Sequence, residues 1–415
     1  MTATDLGGRA GLGRRFRVLW ASAAASNLGD GVRTVAMPLA VASVTREPRA
    51  VALAVASTRI AWLAAPVFGA MIDRMDRRRV MLVADSARAL VVVCLAVALA
   101  MDLASLPLLL AAGLLLGVGE VFFDTAAQTM VPSVVADENL ERANSRLFAT
   151  TTVTNQFLGQ PLGGWLAGIA LAAPFGVDAV ALVVSILLVL TVRGRFRPEL
   201  PAELAQASLW VGLRTALLWC LRDPLIRVLI LAVTVFGLME GVLSGTLVLF
   251  ALEELGLSTA GFGLLLTMAA TGSVAGAVLA PRISRRIGPK AALLLSTGIA
   301  GGSYVLLGLS GSLWLAGVWL AINSAMTLLW NVVTVAARQR VIPDHLLGAV
   351  TAVYRMAAWG ALPVGTVIGG VIADGFGLRA PAVIAGVGIA LTSVLVAAIP
   401  RRRLAEATQA RPDQA

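Results

Sequence analysis

The chain of 415 residues is 58% hydrophobic and only 13% charged, with a mean hydropathy of +0.87. A soluble domain carries about 25% charged residues and needs polar surface to cover its exterior, so a water-soluble enzyme is excluded. The formal charge of +10 does not point to nucleic acid, because the 32 arginines and one lysine fall in short clusters between apolar spans.

In chain order, Arg14, Arg15 and Arg17 precede an apolar stretch that runs to about Val44. That stretch is too long for the apolar region of a signal peptide and reads as an uncleaved first helix. Further spans are expected at 51–72, 80–100, 104–128, 146–170 and 174–192, after a first at 18–43. Beyond a polar break come 224–250, 258–280, 289–309, 312–336, 349–372 and 378–399. Backbone in lipid must satisfy its own amides, so each span is a helix. The expected fold is an all-α polytopic membrane protein with twelve transmembrane helices in two parallel six-helix repeats. Its parts are a cytoplasmic tail (1–17), a first bundle (18–192), a linker (193–223), a second bundle (224–399) and a cytoplasmic tail (400–415). The linker carries Arg193, Arg195, Arg197, Pro198 and Pro201 before an amphipathic stretch from Leu209 to Leu221.

With the N-terminus inside, cytoplasmic segments hold 26 of the 33 basic residues, whereas outer loops hold only Arg46, Arg49 and Arg379. This asymmetry places both termini in the cytoplasm of a cell with the protein in its inner membrane. Cys94 and Cys220 suggest no disulfide, and His345 is the only histidine. No metal ligand spacing is present, and neither a metal nor a cofactor is expected.

The halves echo one another. Asp30-Gly31 corresponds to Glu240-Gly241, 210 residues on, and Gly163-Gly164 to Gly369-Gly370, 206 residues on. Gly69 before Arg77-Arg78 corresponds to Gly276 before Arg285-Arg286. Ala126-Ala127 with Pro132 likewise resembles Ala336-Ala337 with Pro343. Parallel repeats of this kind enclose a substrate cavity and expose it alternately to the two sides.

These features, with the run Gly69 to Arg78, Phe123-Asp124-Thr125-Ala126-Ala127-Gln128, Leu140-Glu141-Arg142-Ala143-Asn144 and Gly159 to Gly164, resemble the major facilitator superfamily. Within it they are similar to the macrolide-efflux and enterobactin-exporter branch. The resemblance implies that Gly69, Asp73, Arg74 and Arg78 form a cytoplasmic gating motif, with Asp76 where the family commonly has glycine. On physical grounds Gly69 would let a neighbouring helix approach, and Asp73 would accept hydrogen bonds from a facing helix end. In the second half Ala280 replaces Asp73. Gly159, Pro161, Gly163 and Gly164 resemble the antiporter motif of exporters, with Gln160 in place of its proline and Pro161 directly after it. Pro161 is expected to bend the fifth span.

Intramembrane acids are expensive unless they face a cavity or a partner. Asp30 lies roughly 18 Å into the first span and Glu240 about 22 Å into the seventh. Both are candidates for proton coupling, as are Glu120 and Asp124, one turn apart on the fourth span. Glu240 is preferred because no basic residue lies within a turn of it. Asp30 alternatively forms a fixed ion pair with Arg33. Arg59, Arg88 and Arg142 are further charge partners, and Arg355 is expected to extend towards the cytoplasm. Asn27, Asn155, Gln156, Phe157, Phe236, Asn323 and Trp359 are candidate cavity residues. Packing in the core or against lipid is the ordinary alternative for each aromatic among them.

The expected function is proton-coupled efflux of a hydrophobic or amphiphilic small molecule, drug-like or siderophore-like, with protons and membrane lipids as the other partners. No phosphate-binding loop indicates ATP hydrolysis. Uptake or lipid movement by the same fold is the alternative, followed by an intramembrane lipid-processing enzyme or a non-transporting sensor. No obligate protein partner is expected, and a monomer suffices.

Overall fold

A computed structural model describes residues 12–72, 74–192, 194, 196 and 209–400, and these are helical almost throughout. Most of both expected tails, and Arg193, Arg195, Arg197, Pro198 and Pro201 of the linker, lie outside the described residues. The chain forms two compact units. The first comprises Met1–Arg46, Ser57–Ala202 and Ser258–Leu264, and the second Glu47–Ala56, Glu203–Leu257 and Leu265–Ala415. This differs from the simple division expected at the linker. The start of the second span belongs with the second unit, and the start of the eighth with the first.

The first half of the chain contains α1 (Gly13–Val44), α2 (Pro48–Arg59), α3 (Ala65–Ile72), α4 (Arg77–Ala100), α5 (Leu106–Met130), α6 (Leu140–Thr152), α7 (Gln160–Ile169) and α8 (Ala173–Thr191). A 3₁₀ turn, Ile60–Ala64, joins α2 to α3. A π-helical segment, Val153–Gly159, joins α6 to α7. The second half contains α9 (Leu209–Arg222), α10 (Pro224–Ser244), α11 (Thr259–Ile287), α12 (Pro289–Gly308), α13 (Leu313–Val341), α14 (Asp344–Phe376) and α15 (Ala380–Ala397). Among the described residues, nine helices are long and apolar enough to cross a bilayer without interruption. The remaining three of the twelve crossings are α1, with its buried polar residues, and the interrupted pairs α2–α3 and α6–α7.

The interruption in the fifth span has a chemical cause. Pro161 has no N–H, and its ring would press on the carbonyl four residues back. The preceding turns widen instead, and the Gln160 N–H reaches the Asn155 carbonyl, five residues away. The expected proline bend is thus a π-helical widening just ahead of the proline. The linker helix forms as α9, but it is docked rather than free. It packs on α14 and α10, with Ala216 and Cys220 fully buried.

Around the first turns of α1, the first unit closes on an apolar core of Phe16, Leu19, Met81, Phe123, Met130 and Val189. Its edge is sealed by Arg78, which donates to the carbonyls of Val189 (3.2 Å) and Leu190 (3.0 Å) at the end of α8. Lys290 does the corresponding work in the second unit. Its amine donates to the carbonyls of Ala397 (2.7 Å) and Ile399 (2.5 Å) at the end of α15. The last carbonyls of a helix lack intrahelical partners and carry partial negative charge, so a cation stabilises both ends.

The repeat also extends to close backbone packing. Gly163 of α7 lies against the backbone of Val32, and Gly369 of α14 against that of Val242, where any Cβ would overlap a carbonyl oxygen. Gly163→Val and Gly369→Val are therefore each expected to destabilise their unit by about 1–3 kcal/mol through overpacking. A fall in the melting temperature of both detergent-purified variants would confirm this, and an unchanged melt would refute it.

Candidate functional site

The first unit places a network of charges in the middle of its helices. Arg33 of α1 donates to Asp30 (2.5 Å), Asp178 (3.0 Å) and Glu120 (3.1 Å). Arg88 of α4 pairs with Asp85 at 2.9 Å, donates to Ser26 at 3.0 Å, and also contacts Asp30. Asp30, Arg33, Asp85, Arg88 and Asp178 are all at most 5% exposed. Asp30 and Arg33 stand one turn apart on α1, and Asp85 and Arg88 on α4, so each helix brings an acid and its own partner. α8 supplies Asp178 and α5 supplies Glu120.

In this geometry Asp30 is held by two guanidinium groups. The fixed pair with Arg33 that the sequence offers is present, and Arg88 joins it. Arg59 stands farther off, 3.9 Å from Glu120. Arg142, another expected partner, is exposed. Four carboxylates, those of Asp30, Asp85, Glu120 and Asp178, thus share three guanidinium groups. Asp124 is half-buried, one turn from Glu120, with no ion pair or hydrogen bond to its side chain among the described residues. It should therefore be dispensable for folding. Asp124→Asn removes a like-charge neighbour of Glu120 and is expected to leave the melting temperature unchanged or raised. A clear drop would reveal an attractive contact at Asp124.

The second unit holds its acid differently. Glu240 of α10 is exposed at the surface of the unit and accepts a hydrogen bond from the Tyr304 hydroxyl of α12 at 2.5 Å. No ion pair to Glu240 occurs among the described residues. Nearby elements of the same unit build an aromatic stack. Phe236 lies on Trp330 with ring centroids 5.4 Å apart, and the Trp330 indole N–H donates to the Tyr354 hydroxyl at 3.3 Å. The Arg338 guanidinium sits over the Tyr354 ring, 3.6 Å from its centroid.

Several expected site residues take other roles. Asn27 and Asn323 are buried, and their amides donate to the Ala23 and Ala300 carbonyls, so neither lines a cavity here. Asn27 thus satisfies itself within its own helix, whereas Asn323 bonds across from α13 to α12. Phe236 is buried within the stack, whereas Trp359 is exposed and Asn155, Gln156 and Phe157 are half-buried. The expectation that Gly69 admits a neighbouring helix fails, because among the described residues a Cβ there would meet open space. Asp73 lies outside the described residues, and Arg74 is exposed. Asp76 caps α4 through the Arg79 N–H (3.1 Å) and accepts from the Phe196 N–H (3.1 Å), which gives a reason for an acid at that position. Gly159 packs on Gly31, and Gly164 on Gly263 in the first turns of α11, within the first unit. Arg355 is exposed.

Asp178, Tyr304 and the Arg338–Tyr354–Trp330 stack escape a reading of the sequence. Asp178 is an acid within an apolar span and carries the same signal as Asp30. The partnerships of Tyr304 and Arg338 depend on helix rotation, which hydropathy does not report.

Twelve crossings in repeated halves, with charged and acidic residues held inside the spans, are the architecture of a polytopic secondary transporter. The chain belongs to the transmembrane secretion effector family of the major facilitator superfamily, whose family model matches residues 12–414. It is 27% identical over 401 residues to the enterobactin exporter EntS of Salmonella typhi, covering 92% of this chain and 91% of that protein. EntS of Escherichia coli UTI89 is 26% identical over 403 residues, covering 92% and 90%. Among solved structures, a bacterial homologue of the iron transporter ferroportin in its inward-facing state has a TM-score of 0.74 at 18% identity, covering 92% of this chain and 98% of that one. The nucleoside transporter NupG has a TM-score of 0.74 at 12% identity, covering 93% and 98%. These two structural likenesses concern the fold.

Proposed function

We propose that the protein exports a siderophore-like or similarly amphiphilic small molecule from the cytoplasm, driven by inward movement of protons. Its place is the cytoplasmic membrane, with both termini inside, and it works as a monomer. The similarity to enterobactin exporters supports the direction and class of cargo. The antiporter-like Gly159 to Gly164 segment in the fifth span supports the same direction.

Coupling rests on one observation, the environment of Glu240. It lies 16 residues into α10, roughly 24 Å along the helix. A carboxyl group at that depth does not face lipid cheaply, yet Glu240 is exposed and has only the Tyr304 hydroxyl as a partner among the described residues. A water-reachable carboxyl group with no cation to hold it ionised is suited to taking up and releasing a proton. Asp124 is a second carrier, since the four paired carboxylates of the first unit already outnumber their three guanidinium groups, and Asp124 adds a further acid one turn from Glu120. Asp30, Arg33, Arg88 and Asp178 form the rigid frame around that exchange. Arg78 and its neighbours anchor the cytoplasmic rim on which gating depends.

The experiment is efflux of a fluorescent amphiphile from energised vesicles with and without an uncoupler. Uncoupler-sensitive efflux supports the reading. Efflux that ignores the proton gradient rejects it.

A further inference from the structure

The second unit leaves one buried cation without a counter-ion among the described residues. Arg338, three residues from the C-terminal end of α13, is 7% exposed. Its Nε donates to the Thr334 carbonyl at 3.3 Å, and its face rests on the Tyr354 ring. No carboxylate pairs with it among the described residues, unlike Arg33 and Arg88. A guanidinium held by one bond and one stacking contact keeps an edge with N–H donors for an oxyanion.

A second observation extends the site. Asn331 and Val335 lie seven and three residues before Arg338, on the same face of α13, and both are exposed. Asn331 is ten residues, roughly 15 Å, from the end of the helix. An amide at that depth is poorly suited to lipid. The face therefore runs from a cation through an apolar step to an amide deeper in the span, backed by the Tyr354–Trp330–Phe236 stack.

We infer that this face binds the acidic group of an amphiphilic organic anion, with its carboxylate on Arg338 and its apolar body along Val335. The inference rests on the export reading and adds the charge of the cargo. The stack fixes the guanidinium plane, and Asn331 supplies a polar contact at the far end of the ligand.

The test uses purified full-length protein in neutral detergent, with 1-hydroxy-2-naphthoate and its uncharged amide as probes, followed by calorimetry. The wild type is expected to bind the acid at least about tenfold more tightly than the amide, the scale of one charge-assisted contact. Arg338→Gln should abolish that preference while leaving amide binding unchanged. Arg338→Lys, which keeps the cation, should retain a preference for the acid and so separate loss of charge from loss of fold. Equal binding of both probes by the wild type overturns the proposal, as does absence of acid binding up to about 10 mM. Parallel loss of both probes in the variants also overturns it, since that is the result of a purely structural arginine. Displacement of the acid by an equal concentration of phosphatidylglycerol would assign the face to membrane lipid and overturn it too. Uncoupler-sensitive efflux without acid preference rejects this site alone, whereas acid preference without proton-driven efflux rejects the transport reading alone.

Discussion

Arg33→Gln is expected to destabilise the protein by about 3–5 kcal/mol, the cost of stripping one partner from a buried ionic network. Arg33 touches three carboxylates, those of Asp30, Asp178 and Glu120. Asp178 is fully buried and has no other ion pair among the described residues. Removing the guanidinium leaves its charge in a low-dielectric interior, where desolvation outweighs what water regains elsewhere. The loss should appear as a lower melting temperature and poor recovery of monodisperse protein. Asp178→Asn added to Arg33→Gln should restore part of the stability, because it removes the stranded charge. Removing both members is milder than removing one. An Arg33→Gln protein that melts like the wild type would show that the network carries little of the fold's stability.

Glu240→Gln is expected to break coupling while sparing the path of the cargo. One proton moving through about 100 mV releases roughly 2.3 kcal/mol, enough to sustain a gradient of about 50-fold for an uncharged cargo, to which the charge of an anionic cargo would add. The amide cannot exchange a proton, but it keeps the shape of the side chain and a hydrogen-bonding oxygen for Tyr304. The variant should therefore equilibrate an uncharged cargo to a gradient near unity, and an anionic one to the ratio set by the membrane potential alone, and still support exchange of labelled for unlabelled cargo. Vesicle assays of net accumulation and of exchange separate these quantities. A full gradient in Glu240→Gln would transfer the coupling role to Asp124 or its network.

The helical architecture is legible in the sequence because each crossing needs a long apolar run, and twelve such runs stand apart from one another. The repeat offset between Gly163 and Gly369 is legible for a similar reason, since close backbone contact requires glycine in both halves. Arg78 is recognisable as a basic anchor, but the carbonyls it binds are not. Pairings between helices depend on rotation about each axis, and one step in sequence turns a side chain by about 100°. Asp30 thus reads both as a candidate carrier and as a partner of Arg33, but the convergence of Arg88 on it is not legible. Asn27 and Asn323 read as cavity residues although each satisfies itself on a nearby carbonyl. Gly69 shows the opposite error, because its motif suggests close packing where the space beside it is open.

The capping role of Lys290 has a practical consequence. It is the only lysine among 33 basic residues, and its nitrogen is engaged by two carbonyl oxygens. Reagents that seek amines, such as succinimidyl esters and aldehyde fixatives, therefore find one occupied side-chain target in the whole polypeptide. Fluorophores or cross-links for following this protein are better directed at engineered thiols, leaving that amine to close the end of its helix.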